Sequence, residues 1–292
     1  MTILHVRHRT TYRYRRPVQF GEHRLMSRPR DSHDLRLIDT SLSIDPAPSA
    51  VRWLHDVFGN SIALVSIAQP CAQLVFESGF RAEHFPAPLQ AIEVEPYAAR
   101  FPFSYSAEDA VDLGRTKERH YSDPEHRVDA WARAQLEQVP GGSTLGVLTA
   151  MTSAIKSQFR YQARDAVGVQ SPLETLAFGS GSCRDFAVFM MEAVRSLGLA
   201  ARFVSGYLYD ERLVGAGSGL VGLGATHAWL QVYLPGAGWV EFDPTNALVG
   251  GRNLIRVAVA RDASQAAPLA GSFTGLPDDP LGMEVEVQVT TE

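Results

Sequence analysis

Cysteine is scarce in this chain. Its 292 residues include two, Cys71 and Cys183. Two cysteines do not make a disulfide framework, and neither a CxxC nor an HExxH pattern occurs, which argues against structural zinc. The pattern fits a reducing compartment where a thiol stays free, so a cytoplasmic location is expected. Long apolar runs are missing as well. No stretch of roughly 18 apolar residues exists, so no membrane-spanning helix is expected. An excess of positive charge is also absent. The net charge of −5 and a pI near 6.0 give nucleic-acid binding no global electrostatic support.

The N-terminus is a local exception. Residues 1–16 are rich in arginine and contain no Asp or Glu. A secretory signal needs an apolar core after its basic start, and none follows here. The Arg15–Arg16 pair has no apolar run behind it, which argues against a twin-arginine signal. Thr10, Thr11, Tyr12 and Tyr14 favour a strand over the helix of a transit peptide. A solvated basic strand face is the expectation.

What is present divides the chain. Residues 1–95 read as short extended runs between turn signals: Ile3–Tyr14, Leu35–Ile44, Val51–His55, Ile62–Ala68 and Gln73–Glu77. Such spacing suggests an antiparallel β sandwich or open barrel. A Pro- and aromatic-rich stretch at 84–104 sets the boundary near residue 100. Helical patterns follow at Glu125–Leu136 and Ser143–Arg160, with a short helix or turn at Pro172–Ala177. Asn253–Ala260 and Met283–Thr290 alternate like strands. The expected organisation is an N-terminal β domain over 1–100, an α+β core over 101–265 and a C-terminal extension over 266–292. The last strand could pair with either domain.

Gly179-Ser180-Gly181-Ser182-Cys183 precedes a strong helical pattern. Phe186, Phe189, Met190, Ala193, Val194 and Leu197 recur at three- and four-residue steps, and Gly198 stands where a helix C-terminal glycine belongs. Ser182 with Asp185 fits a capping box. Cys183 then falls in the first helical turn, where partial positive charge and unpaired N–H groups favour the nucleophilic thiolate. Its own N–H could serve an oxyanion hole. The competing reading is an inert buried cysteine. Cys71, in an expected strand with no such context, keeps that reading.

Ala228, Leu230, Val232 and Leu234 alternate with His227, Trp229, Gln231 and Tyr233. This is a strand with one apolar face. Pro235–Gly238 is a turn signal, and Trp239–Asp243 forms a second strand that Pro244 ends. Pairing Ala228 with Phe242 and Leu230 with Val240 keeps the apolar sets together and sets His227 opposite Asp243. That register needs a connection of about five residues, Tyr233–Ala237; a shorter loop with a bulge is an alternative, and a regular hairpin tightened around Gly236–Ala237 would put the two residues on opposite faces. A carboxylate on one imidazole nitrogen fixes the tautomer and leaves the other nitrogen for the thiol. Asn246 is a reserve orienter. Taken singly, His227 could be an ordinary sheet histidine and Asp243 a strand-end aspartate. In the order Cys, His, Asp the three form a coherent set.

At these residues the chain resembles the transglutaminase-like superfamily, within the papain-like thiol enzymes. The stretches are FRYQARDAVGVQSPLETLAFG, GSGSCRDFAVFMMEAVRSLGLAARFVSGYL and ATHAWLQVYLPGAGWVEFDPTN, over about residues 159–246. YRRPVQFGEHRLMSRPRDSHDLRL and WLHDVFGNS resemble the β domain that precedes this core in many bacterial members. The resemblance implies that Cys183, His227 and Asp243 hold the triad positions, and that the cysteine helix packs on an antiparallel sheet carrying the His and Asp. It implies no metal or organic cofactor. Arg184-Asp185 stands where many animal transglutaminases have Trp, which shifts the expectation from crosslinking toward a cysteine peptidase or amidase. Each route passes through a thioester, resolved by water or by an amine.

Tyr161, Tyr207 and Trp229 are candidate substrate-binding residues, Tyr161 also as an oxyanion donor. For Tyr207 and Trp229, packing of the sheet is the alternative. Arg184 and Asp185 could contact substrate or form a solvated helix start. The expected partner is a peptide or protein substrate, with neither nucleic acid nor membrane. A non-catalytic protein-binding module and a metal site at Cys183, His227 and Asp243 are the rival readings.

Overall fold

Alternate burial of Leu4, Val6, His8 and Thr10 marks β1 (Thr2–Phe20) as a strand with one covered face. In a computed structural model that describes residues 2–89, 92–164, 168–210 and 220–292, this strand organises the N-terminal part. It is joined by β2 (His23–Arg28), β3 (Leu35–Asp45), β4 (Ala50–His55), β5 (Ser61–Ser66) and β6 (Cys71–His84). One sheet holds β1, β6 and β3, and the other holds β2, β5 and β4. Leu25, Ala63, Val65, Leu74 and Phe76 fill the space between them. This is a sandwich-like arrangement of two antiparallel sheets.

The arginines of β1 face acidic partners on neighbouring strands. Arg7 makes a two-pronged contact with Glu77 at 2.9 and 2.7 Å, and Arg13 reaches Glu284 at 3.1 Å. The basic run is therefore one half of a solvated ion-pair lattice, and such exposed pairs contribute little stability each.

The helices are α1 (Ala107–Asp112), α2 (Arg127–Glu137), α3 (Thr144–Gln158), α4 (Pro172–Phe178) and α5 (Cys183–Ser196). The two-residue strands β7 (Arg160–Tyr161) and β8 (Ser180–Gly181) pair in parallel just ahead of α5. The second large sheet is built from β9 (Ala201–Leu208), β10 (His227–Leu234), β11 (Gly238–Asp243), β12 (Leu248–Val249) and β13 (Leu254–Ala260). Its order is β12-β11-β10-β9-β13, and every pair is antiparallel. Three strands close the chain: β14 (Leu269–Ala270), β15 (Phe273–Thr274) and β16 (Pro280–Thr291). β16 returns to the N-terminal sheet and lies beside β1, so the last strand joins the sandwich.

The α5 stripe expected from sequence widens into a helix buried on nearly all sides. Ala187, Val188, Met191, Glu192 and Arg195 are covered along with the predicted face. α5 packs against β9 and β10 and against α2, α3 and α4. The charges this buries are paired. Glu192 accepts from Arg195 at 2.9 Å, from Arg119 at 3.2 Å and from the N–H groups of His120 and Tyr121. Removing one member would leave a buried charge uncompensated. Among the described residues no helix is long and apolar enough to cross a membrane.

Candidate active site

The start of α5 is held from outside the helix. Ser182 is extended at its N-cap and donates both its N–H and its hydroxyl to Asp185 Oδ2, each at 2.8 Å. Asp185 Oδ1 also accepts from Arg164 at 2.7 Å and from the Gln170 N–H at 2.7 Å. Its carboxylate is fully buried and engaged, so it stands under the helix start. Arg184 donates to the Arg164 carbonyl at 3.2 Å. Cys183 follows at the first helical position, with 8% of its surface exposed.

His227 opens β10 and Asp243 closes β11, and both are buried. The imidazole Nε2 donates to Asp243 Oδ2 at 2.8 Å. The register that brings them together is not the expected one. Leu230 faces Phe242 and Val232 faces Val240, a slip of two residues. The connection is Pro235-Gly236-Ala237, closed by pairing of Leu234 with Gly238. Gly236 and Gly238 both adopt positive φ, which permits so tight a turn. A slip of two preserves the faces. Asp243 is therefore the diagonal neighbour of His227, still within side-chain reach.

The carboxylate is itself fixed. Asp243 accepts from the Thr245 N–H at 2.9 Å and from Asn246 Nδ2 at 2.8 Å. Asn246 thus orients the aspartate, not the histidine. It also ties in Val221, on the segment leading to His227, through the Val221 N–H at 2.8 Å.

The second ring nitrogen, Nδ1, is buried and makes no hydrogen bond among the described residues. It is the nitrogen left for the thiol of Cys183, the neighbouring group that acts on the imidazole after Asp243. Burial disfavours the imidazolium. The charge and hydrogen bond of Asp243, then those of Cys183, outweigh it and push His227 up to about 10. Gly222 bounds the same edge of the ring. Its φ is +103°, and a Cβ there would stand 2.8 Å from Nδ1. Nothing in the spacing of the sequence singles out this glycine.

Trp229 is not a cleft residue. It is fully buried, stacks on His227 at 5.9 Å between centroids and 26° from parallel, and donates its indole N–H to Glu241. Its ring packs so closely on Gly206 that a Cβ there would come within 2.7 Å of it. Tyr207 is also misplaced by the sequence reading. It points into the seam between the two parts of the molecule, where it packs with Phe80, and its hydroxyl bonds His8 Nδ1 at 2.9 Å. Burial raises its phenol pKa, which fits a structural role. Tyr161 does lie at the site. It pairs with Gly181 in the parallel bridge ahead of Cys183, and its pKa is raised by burial and then by the charge of Cys183. Among the described residues no cluster of three or more His, Cys, Asp or Glu has the geometry of a metal site.

Two family profiles match the chain. Residues 4–83 match the bacterial transglutaminase-like N-terminal region, and residues 133–244 match the transglutaminase-like superfamily core. An uncharacterised protein of Mycobacterium tuberculosis is 30% identical over 97% of this chain and 91% of its own length.

The chain belongs to the transglutaminase-like superfamily.

A solved structure from Cytophaga hutchinsonii, described as a candidate cysteine protease, shares the fold of this transglutaminase-like chain. It is 18% identical, with a TM-score of 0.70, and the match covers 99% of this chain and 90% of that one. A protein-glutamine gamma-glutamyltransferase of Pseudomonas aeruginosa is 33% identical over 102 residues, which is 35% of this chain and 14% of that protein.

Proposed function

We propose that this chain is a cysteine-dependent acyl-transfer enzyme acting on peptide or isopeptide amides, with water as the usual acceptor. One observation carries the reading. A buried Asp243–His227 pair leaves a single imidazole nitrogen without a hydrogen bond, and Cys183 is near enough to the ring to raise its pKa.

The Cys183 thiolate attacks the amide carbonyl carbon and forms the C–S bond. Charge moves to the carbonyl oxygen, for which the Cys183 N–H at the helix start and the Tyr161 hydroxyl are the proposed donors. The His227 imidazolium gives its Nδ1 proton to the amide nitrogen as the C–N bond breaks, and the amine leaves. His227, now neutral, takes a proton from water. The hydroxide forms a C–O bond, the C–S bond breaks, and the carboxylic acid departs. Asp243 holds the ring throughout, and Asn246 and Thr245 hold Asp243. Hydrolysis is favoured over crosslinking because Arg184-Asp185 stands where many animal transglutaminases carry Trp.

The test uses a mixture of glutaminyl and peptide amides, with and without hydroxylamine. The expected products are the free acid in buffer and the hydroxamate with hydroxylamine, both lost in Cys183→Ala. Equal product in wild type and Cys183→Ala would overturn the reading. No turnover of any amide, with an unreactive Cys183, would point to a protein-binding role for the fold.

A further inference from the structure

A cavity of about 500 Å³ lies between the N-terminal sandwich and the face of the core sheet that carries Trp229 and Glu241. Neither Cys183, His227 nor Asp243 lines it. Gln231 and Glu241, at its floor, lie further along the same strand pair toward the hairpin end. Three arginines border it: Arg30 from the link between β2 and β3, Arg202 from β9 and Arg256 from β13.

Arg256 is fully engaged. It donates to Glu241 at 2.9 Å with one Nη and to Asp34 at 3.1 Å with the other. The acidic residues of the cavity are engaged too. Glu241 accepts from Trp229, Gln231 and Arg256, Asp34 from Arg256 and Ser32, and Asp31 from the Leu37 N–H. Arg202 differs. Its Nε donates to Gln231 at 2.6 Å and its guanidinium lies over the Trp239 ring at 4.2 Å. Neither of its Nη groups has an acceptor among the described residues. Arg30 makes one long bond, 3.4 Å, to the Phe58 carbonyl. The Nη groups of Arg202 are therefore charged donors without an acceptor, while each carboxylate of the cavity already accepts at least one hydrogen bond.

We propose that this cavity binds a small oxyanion, carboxylate or phosphate, on the outward nitrogens of Arg202 with Arg30 as the second cation. A guanidinium clamped at Nε and stacked on an indole presents a fixed two-pronged fork, the geometry that matches such groups. The electrostatics agree. Burial draws the Arg202 pKa down to about 10, and Arg256 and Arg30 push the same way, with Glu241 opposing. A bound anion relieves both effects. The inference does not depend on the triad, and its test reads binding.

The probes are inorganic phosphate and succinate, titrated calorimetrically into the whole chain at constant ionic strength, with chloride as control. The expected result is saturable one-to-one binding of at least one probe. The probe that binds tighter assigns the ligand to the phosphate or the carboxylate class. Arg202→Gln should weaken it at least about tenfold, the cost of one charge-assisted hydrogen bond. Arg30 is exposed, so Arg30→Gln leaves the fold intact and should weaken the same binding severalfold. Absence of saturable binding by both probes would overturn the proposal. So would binding that is unchanged in Arg30→Gln and Arg202→Gln.

Discussion

Trp229 lies stacked on His227, and its indole nitrogen is anchored to Glu241 on the adjacent strand. The imidazole is thereby held from its face by an indole and from its Nε2 edge by Asp243. A residue two places along the strand thus supports the ring of His227. Trp229→Ala removes a fully buried ring and strips Glu241 of one donor. The expected loss is about 3–5 kcal/mol by urea unfolding. A loss below about 1 kcal/mol would mean that the ring packs far less tightly than the structure has it.

Asp243 sets the protonation of His227. The folded imidazole titrates near 10, above its ordinary value. The stabilisation from the pair is therefore complete below about pH 6.5 and is lost as pH rises toward about 10. Nuclear magnetic resonance should show a His227 ring that stays protonated through neutral pH. In Asp243→Asn its titration should move down toward the ordinary imidazole range. An unchanged titration would break the link between the two residues.

His8 works in the opposite direction. It is buried in the seam beside Tyr207, and burial pushes its imidazole down to about 4. A depressed base is neutral when folded, so its contribution is complete above about pH 6.5 and is lost as pH falls toward about 4. Between pH 7 and pH 5 this amounts to about 2 kcal/mol of lost stability. Equilibrium unfolding at the two pH values should show that difference, and His8→Gln should shrink it. Equal pH sensitivity in the variant would assign the acid lability elsewhere.

Periodicity made much of this architecture legible in advance. The 3.6-residue pattern after Cys183 and the two-residue alternation around His227 give the element types, while both elements are buried on more faces than the patterns predict. The hairpin register was harder. Registers two residues apart place the same side chains on the same face, so the apolar pattern is blind to the difference. The turn decides it, through positive φ at Gly236 and Gly238. Tyr207 was misread because sequence does not say that β9 packs on the sandwich at that point. The strand β2 escaped notice because its burial follows no alternation. Asp185 was open to reading as a substrate contact because Arg164, 21 residues away, supplies its partner only in the fold.

The central claim is that His227 activates Cys183. The direct measurement is the rate of iodoacetamide alkylation against pH, in wild type and His227→Ala, with mass spectrometry separating Cys183 from Cys71. The account predicts rapid labelling of Cys183 in wild type at about pH 6, below the usual thiol range, and at least about tenfold slower labelling in His227→Ala. Slow labelling of Cys183 with the same ordinary thiol pH dependence in both proteins would contradict it.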